Sequence, residues 1–261
     1  MPSWLERFVS TDALKTGRQE MTAVGRAVIS KWLVDEIFDR VFHPGLEPGF
    51  SAQLKEIEMS IRENAYTMNS QEEFNALTTK IVHWRMATLD GLNKTLQSPT
   101  AAETRQNLMD KATTNLTAHL YQYLNSPPPP GVDSSTSMIV ELAVGIAANM
   151  PMESRDVVIT YPLPGDIVQP NHMEVEKGEL PAPEGFEADS DSDDDTDKEK
   201  KNGMWTAPPG GRKGSAVSII STDMGINSAM PKEPSRVRFA GFVALEVRGR
   251  QVLMKAPVWT L

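Results

Sequence analysis

Proline divides this chain into two parts. Only four of its nineteen prolines lie in the first 126 residues, and the other fifteen lie between Pro127 and Pro257. Because proline lacks a backbone N–H and clashes with the preceding turn, the interior of an α-helix excludes it. We therefore expect a helical N-terminal half and a C-terminal half made of strands, turns and irregular segments.

Apolar residues in the N-terminal half recur at helical intervals. One amphipathic pattern runs from Met21 to Phe42, and a second begins near Ser51. Ser70 and Glu73 have the spacing of a capping box, in which each side chain satisfies a free N–H of the first turn. Each of these three stretches predicts one helix.

Two further helices are predicted in this half. Ser98 and Pro99 form a favourable N-cap and first-turn pair, and apolar residues follow at helical spacing up to a run of four prolines. The apolar stretch 138–150 fits a buried helix or a strand, and its length and alanines favour a helix. Four or five amphipathic helices with short connections predict an antiparallel bundle over residues 1–150.

Alternation of apolar and polar residues predicts strands in the C-terminal half. The turn sequence Arg248-Gly249-Arg250 predicts that the last two strands form a hairpin. The stretches with this alternation are residues 157–161, 215–221, 237–247 and 251–259. They predict a small C-terminal antiparallel sheet.

Negative charge is concentrated in one stretch. The formal charge is −9, and the twelve acidic residues and two lysines from Glu174 to Glu199 account for it, so the rest of the chain is nearly neutral. Such a segment buries too little apolar surface to offset its conformational entropy. A disordered acidic insert is therefore predicted over residues 174–214, and the low pI gives no support to a nucleic-acid-binding face.

The predicted fold class is α+β, mainly α: a helical bundle with a small sheet and an acidic insert. The predicted domains are a helical bundle (1–150), a strand and proline-rich turn packed on it (151–173), a disordered acidic linker (174–214), and C-terminal strands with a hairpin (215–261).

The acidic stretch contains three candidate phosphorylation sites. Ser190, Ser192 and Thr196 are each followed three residues later by an acid, which resembles the substrate pattern of acidophilic kinases. Each phosphate would add about −1.5 to −2 charges. The alternative is a charged linker that only stays soluble and extended.

Ser215 is a fourth candidate. Two basic residues precede it in the sequence RKGS, which resembles a basophilic kinase site. The neighbouring glycines lack the spacing of a phosphate-binding loop, so the stretch does not predict nucleotide binding.

The segment Arg236-Val237-Arg238-Phe239 resembles the docking pattern of regulatory subunits of type-1 protein phosphatases, a basic residue followed by Val-x-Phe. The resemblance implies that the segment adds to the edge of a partner's sheet, with Val237 and Phe239 in two pockets. The alternative is an ordinary half-buried strand, which could not be donated while paired in its own sheet.

Arginines in the tail predict a basic hairpin. They are Arg236, Arg238, Arg248 and Arg250. A phosphorylated insert could be drawn onto this surface or onto a basic surface of a partner, because arginines bind phosphate through charge-assisted hydrogen bonds.

Catalytic and metal-binding patterns are absent from the sequence. There is no cysteine, which excludes disulfides and thiolate sites, and His43, His83, His119 and His172 lack metal-ligand spacing. No serine-hydrolase elbow or dinucleotide-binding glycine pattern occurs. No cofactor or metal is therefore predicted.

These observations predict a non-enzymatic intracellular regulatory or scaffold protein, cytoplasmic or nuclear, with phosphorylation-tuned protein–protein interactions. Expected partners are proteins, including a kinase or a type-1 phosphatase. Nucleic acid is not expected, because the charge distribution shows no basic face, and membrane is not expected, because no signal peptide or apolar span is seen. Two alternatives stay open. One is an enzyme whose site is assembled from distant residues, such as His83 or His119 against a carboxylate; the other is a self-assembling structural protein.

Overall fold

Helices dominate the N-terminal half, as its low proline content predicts. The computed structural model describes residues 2–10, 18–63, 70–124, 126–178, 180–183 and 234–261. Within them, the helices are α1 Ser3–Glu6, α2 Arg18–Leu33, α3 Pro48–Glu63, α4 Gln71–Leu96, α5 Pro99–Tyr121 and α6 Val132–Asn149. With two small sheets, they confirm the mainly helical α+β class.

Two helices begin where the sequence predicts. The Ser70 hydroxyl accepts a hydrogen bond from the Glu73 N–H at 3.2 Å, and the Ser98 hydroxyl accepts one from the Ala101 N–H at 3.2 Å. Pro99 occupies the first turn of α5. These bonds satisfy N–H groups that have no partner inside the helix, so both N-caps are confirmed.

One core joins α2, α5 and α6. Small residues such as Ala112, Ala143 and Ala147 lie at the contact and allow α5 and α6 to pack closely. The buried members are Leu33, Val34, Ile37, Phe38, Ala112, Leu116, Val140, Ala143, Val144, Ala147 and Val243. The antiparallel order of a helical bundle stays a prediction.

The described helices were also compared with the requirements of a membrane span. None of them is both long enough and apolar enough to cross a bilayer.

The first sheet is antiparallel and contains the predicted hairpin. Its strands are β1 Val157–Thr160, β4 Ala244–Val247 and β5 Gln251–Met254, in the order β1-β4-β5. Gly249, between β4 and β5, has a φ of 67°, a conformation that glycine adopts without a steric penalty. The turn predicted at 248–250 is confirmed.

The second sheet is mixed. It orders β2 Met173–Val175, β6 Ala256–Thr260 and β3 Val237–Ala240, with β2 parallel and β3 antiparallel to the central β6. The prediction of one antiparallel sheet is therefore wrong in two respects: there are two sheets, and one contains a parallel pair.

A break at Gly241 explains why there are two sheets. The sequence 237–247 reads as one strand, but the chain leaves the strand conformation after Ala240 and re-enters it at Ala244. A Cβ on Gly241 would lie only 2.9 Å from the Trp259 ring, so the backbone passes close to that ring. The two halves consequently join different sheets.

The remaining predictions are placed as follows. Glu174 and Val175 lie in β2, inside the range assigned to the acidic linker, so regular structure extends past residue 173. The strand predicted at 215–221 and most of the linker lie outside the described residues.

Candidate functional site

A buried carboxylate lies where α3, α4 and the β4–β5 turn approach the start of β1. The side chain of Asp156 is 0% exposed and accepts hydrogen bonds from Nη1 and Nη2 of Arg62, each at 2.7 Å. Nε of Arg248 lies 3.2 Å from one carboxylate oxygen, and Nη1 of Arg85 lies 3.9 Å from the other. A buried charge is tolerated only with such partners.

A second carboxylate continues the network. Arg62 donates to Glu58 at 2.6 Å, and Nζ of Lys55 lies 3.6 Å from the other oxygen of Glu58. Burial by itself raises the pKa of Glu58, but Lys55 and Arg62 outweigh it and hold that pKa below its ordinary value. Glu58 is therefore ionised at neutral pH.

Arg85 anchors the chain that leads into β1. Its Nη2 donates to the backbone carbonyls of Glu153 and Arg155, at 2.7 and 3.0 Å. The side chain is 4% exposed, and its buried Nε has no hydrogen-bond partner among the described residues. Burial lowers the pKa of Arg85 from its ordinary value, although an arginine stays protonated in proteins.

A cavity of about 420 Å³ opens beside these charges, and we call it the Asp156 cavity. The charged residues of its lining include Lys55, Glu58, Arg62, Arg85 and Arg248. The apolar residues of its lining include Phe38, Phe42, Met59, Phe74, Met150 and Ile159.

Two further carboxylates, Asp39 and Glu63, also line the Asp156 cavity, and both residues are exposed. Burial of the Asp39 carboxyl raises its pKa, against an opposing effect of Lys55.

An exposed apolar surface lies on α6. Met138, Leu142 and Ile146 follow each other at intervals of four residues and are 64%, 69% and 46% exposed. Leu253 of β5 borders the same groove and is also exposed. We call these four residues the α6 face.

Charged side chains of both signs border the α6 face. They are Arg105, Glu141, Glu153 and Arg155. None of the four has an ion-pair partner within 4.0 Å among the described residues. Gly145 lies in the groove, and a Cβ there would meet nothing within 4 Å.

The four candidate phosphorylation sites, Ser190, Ser192, Thr196 and Ser215, lie outside the described residues. Nothing in the described part of the chain bears on their modification.

Val237 and Phe239 of the docking motif lie in β3, in the second sheet, and Arg236 immediately precedes that strand. The side chains of Val237 and Phe239 are fully buried, whereas Arg236 is exposed and donates to the Gly165 carbonyl at 2.9 Å. Because Val237 and Phe239 pack in the core, filling a partner's pockets with them in the predicted manner would require β3 to leave its place in the fold.

The arginines of the predicted basic hairpin do not share one surface. Arg238 is buried, forms an ion pair with the buried Glu20, and donates to the Phe8 carbonyl at 2.8 Å. Arg248 faces Asp156. Only Arg236 and Arg250 are exposed.

The histidines lie apart from the Asp156 cavity. The His119 ring makes an edge contact with Tyr123, and His83 is exposed. His172 contacts Glu246 at 2.8 Å, which links β2 to β4. In the described part of the chain, no three histidine or acidic residues are grouped so that they could hold a metal ion.

Neither the role of Arg85 nor the exposure of the α6 face was predicted from the sequence. Arg85 lies between Ile81 and Leu89 at helical spacing, and a charged residue inside a buried apolar row was an available signal. The run 138–150 is apolar apart from Glu141 and Asn149, so its sequence favours a buried helix; in the structure only one face is covered.

Comparison of the chain with protein-family models, with curated proteins and with solved structures finds no match. Functional inference therefore starts from the residues themselves.

Proposed function

We propose that this protein is a non-enzymatic regulatory or scaffold protein that acts through protein–protein contacts, and that it pairs with a second copy of itself through the α6 face. The observation that carries the proposal is the row Met138, Leu142 and Ile146, exposed on a helix whose other side is buried. Contiguous exposed apolar patches on folded proteins mark interaction sites.

Charge complementarity favours a second copy as the occupant. In a two-fold contact the same patch of both subunits meets, and a residue at one position contacts a different position of the other copy. Arginines of one copy can therefore face glutamates of the other. The patch carries two arginines and two glutamates that have no ion-pair partner within 4.0 Å among the described residues of their own chain. Gly145 adds no side chain to the contact, which allows the two helices to approach closely.

Phosphorylation is the proposed means of regulation. Phosphates on Ser190, Ser192, Thr196 and Ser215 would add negative charge that basic surfaces recognise. A kinase and a type-1 phosphatase are the partners that this proposal requires, and on the protein itself Arg236 and Arg250 are available to phosphate.

Sedimentation velocity over the micromolar range tests self-pairing. We expect the wild type to shift from monomer to dimer with concentration, and Leu142→Glu to stay monomeric because the contact would bury an unpaired charge. Ile57→Glu is the matched control, since Ile57 is exposed on α3, away from the α6 face. A monomeric wild type throughout the range would refute self-pairing.

Regulation is tested separately. Wild type and a variant with Ser190, Ser192 and Thr196 changed to alanine are used as bait in the same cells, and phosphopeptides and recovered proteins are compared. Phosphate on these residues, together with a kinase or phosphatase that the alanine variant loses, supports the proposal. Identical partners from an unmodified insert would contradict it.

A further inference from the structure

We propose that the Asp156 cavity binds a small organic molecule that carries an oxyanion, a carboxylate or a phosphate, on an apolar body. The cavity and the groove of the α6 face share Met150 and Val157 but no charged residue, so charge-removing variants of the cavity leave the charges of the α6 face unchanged.

The buried charges around the cavity do not balance. Four cations line it, Lys55, Arg62, Arg85 and Arg248, and none of their side chains is more than 30% exposed. Against them stand two buried carboxylates, Glu58 and Asp156. Two positive charges remain at the protein side of the cavity.

Two carboxylates at the rim, Asp39 and Glu63, reduce this surplus in part. Water screens the charge of the exposed Glu63, whereas burial of part of the Asp39 carboxyl raises its pKa and so disfavours its charged form. Lys55 faces both Asp39 and Glu58, and it links the rim to the buried wall.

Hydrogen-bond donors outnumber acceptors around the cavity. A guanidinium carries five N–H donors, whereas a carboxylate offers about four acceptor positions. Both oxygens of Asp156 already face two arginine nitrogens each, and Nζ of Lys55 lies 3.6 Å from Glu58, which is beyond hydrogen-bond distance. A bound oxyanion would supply acceptors that the protein itself lacks.

The apolar part of the lining suits an uncharged body. The side chains of Met59, Phe74 and Ile159 are not buried and offer it a surface. The volume of about 420 Å³ falls within the roughly 300–1,000 Å³ of small-molecule sites. Inorganic phosphate would leave most of this space to water.

Binding is measured by isothermal titration calorimetry with four probes. Phenyl phosphate and phenylacetate are the two oxyanions on an apolar body, inorganic phosphate lacks the body, and 2-phenylethanol lacks the charge. We expect at least one aromatic anion to bind, and to bind about tenfold or more tightly than either inorganic phosphate or the alcohol. The two anions show whether the site prefers phosphate or carboxylate.

Two variants locate the site. Arg248→Gln and Lys55→Gln each remove one cation from the more exposed side of the cavity, and each should weaken the preferred anion about tenfold to a hundredfold, as loss of a charged hydrogen-bond donor does. Lys80→Gln is the control, because Lys80 is exposed on α4 and does not line the cavity.

Three results would overturn the inference. They are no binding of either aromatic anion by the wild type at millimolar concentration, equal binding of the uncharged alcohol, and unchanged affinity in Arg248→Gln and Lys55→Gln. If Arg248→Gln unfolds, Lys55→Gln alone decides, since the ion pair of Lys55 within 4.0 Å among the described residues is with Glu58, three residues along the same helix.

Discussion

Replacing Asp156 by asparagine tests whether this carboxylate holds the helices to the first sheet. The substitution keeps the shape of the side chain but removes the negative charge that faces Arg62, Arg85 and Arg248. Since the side chain is 0% exposed, water cannot compensate the arginines. Removing one partner of a buried ion pair costs about 3–5 kcal/mol.

The hydrogen bonds give a consistent magnitude. Asp156 accepts two charged hydrogen bonds from Arg62, each of which contributes about 1.5–3 kcal/mol. For a chain of this size we expect Asp156→Asn to lower the melting temperature by about 6–20 °C. Urea unfolding followed by circular dichroism measures the free energy directly.

A matched variant and a double mutant sharpen this test. Asp90→Asn removes an exposed carboxylate of α4 and should change the free energy of unfolding by less than about 0.5 kcal/mol. Arg62→Met combined with Asp156→Leu should cost less than the sum of the two single changes, because the double change leaves neither member of the Arg62–Asp156 pair facing a missing partner. A loss of under about 1 kcal/mol in Asp156→Asn would refute the stabilising role of this network.

Three further predictions concern stability. The pKa of Glu58 is held below its ordinary value of 4.5, so its ionised form stabilises the folded protein above pH 4.5. This contribution is lost as the pH falls through the lower pKa of the folded state. In a pH series of urea unfolding midpoints, Glu58→Gln should therefore reduce the loss of stability in this acidic range. Gly241→Ala should destabilise the fold by about 1–3 kcal/mol, because its Cβ would press on Trp259, and thermal unfolding would show it. Glu20→Gln and Arg238→Met should each cost about 3–5 kcal/mol, and a double variant that costs their full sum would contradict the pairing of the two residues.

Local signals in the sequence predicted the local structure well. The N-caps at Ser70 and Ser98 and the turn around Gly249 depend on neighbouring residues only, and all three are present. The parallel pairing of β2 with β6 depends instead on residues about eighty positions apart. Nothing near Met173 in the sequence indicates that partner, so the second sheet could not be predicted.

The candidate sites show the same limit. Arg62 and Asp156 are 94 positions apart, and only the fold brings them into contact. The sequence pattern also suggested that Arg238 is part of a basic surface. In the structure its guanidinium instead faces Glu20 in the interior. Spacing along the chain predicts which residues share an element, but the partners across elements depend on tertiary packing.

The contacts of Arg238 also bear on how the protein would respond to a cut in its chain. Arg238 also donates to the carbonyl of Pro181 at 2.6 Å, so a hydrogen bond joins residues that precede and follow the segment 187–233. β1 and β2 precede this segment, and their partner strands β4 and β6 follow it. A protein cut once between residues 187 and 233 would therefore keep its sheets as a complex of two fragments. Each sheet is already built from both sides of the cut, and the peptide bond there would not be needed to hold them.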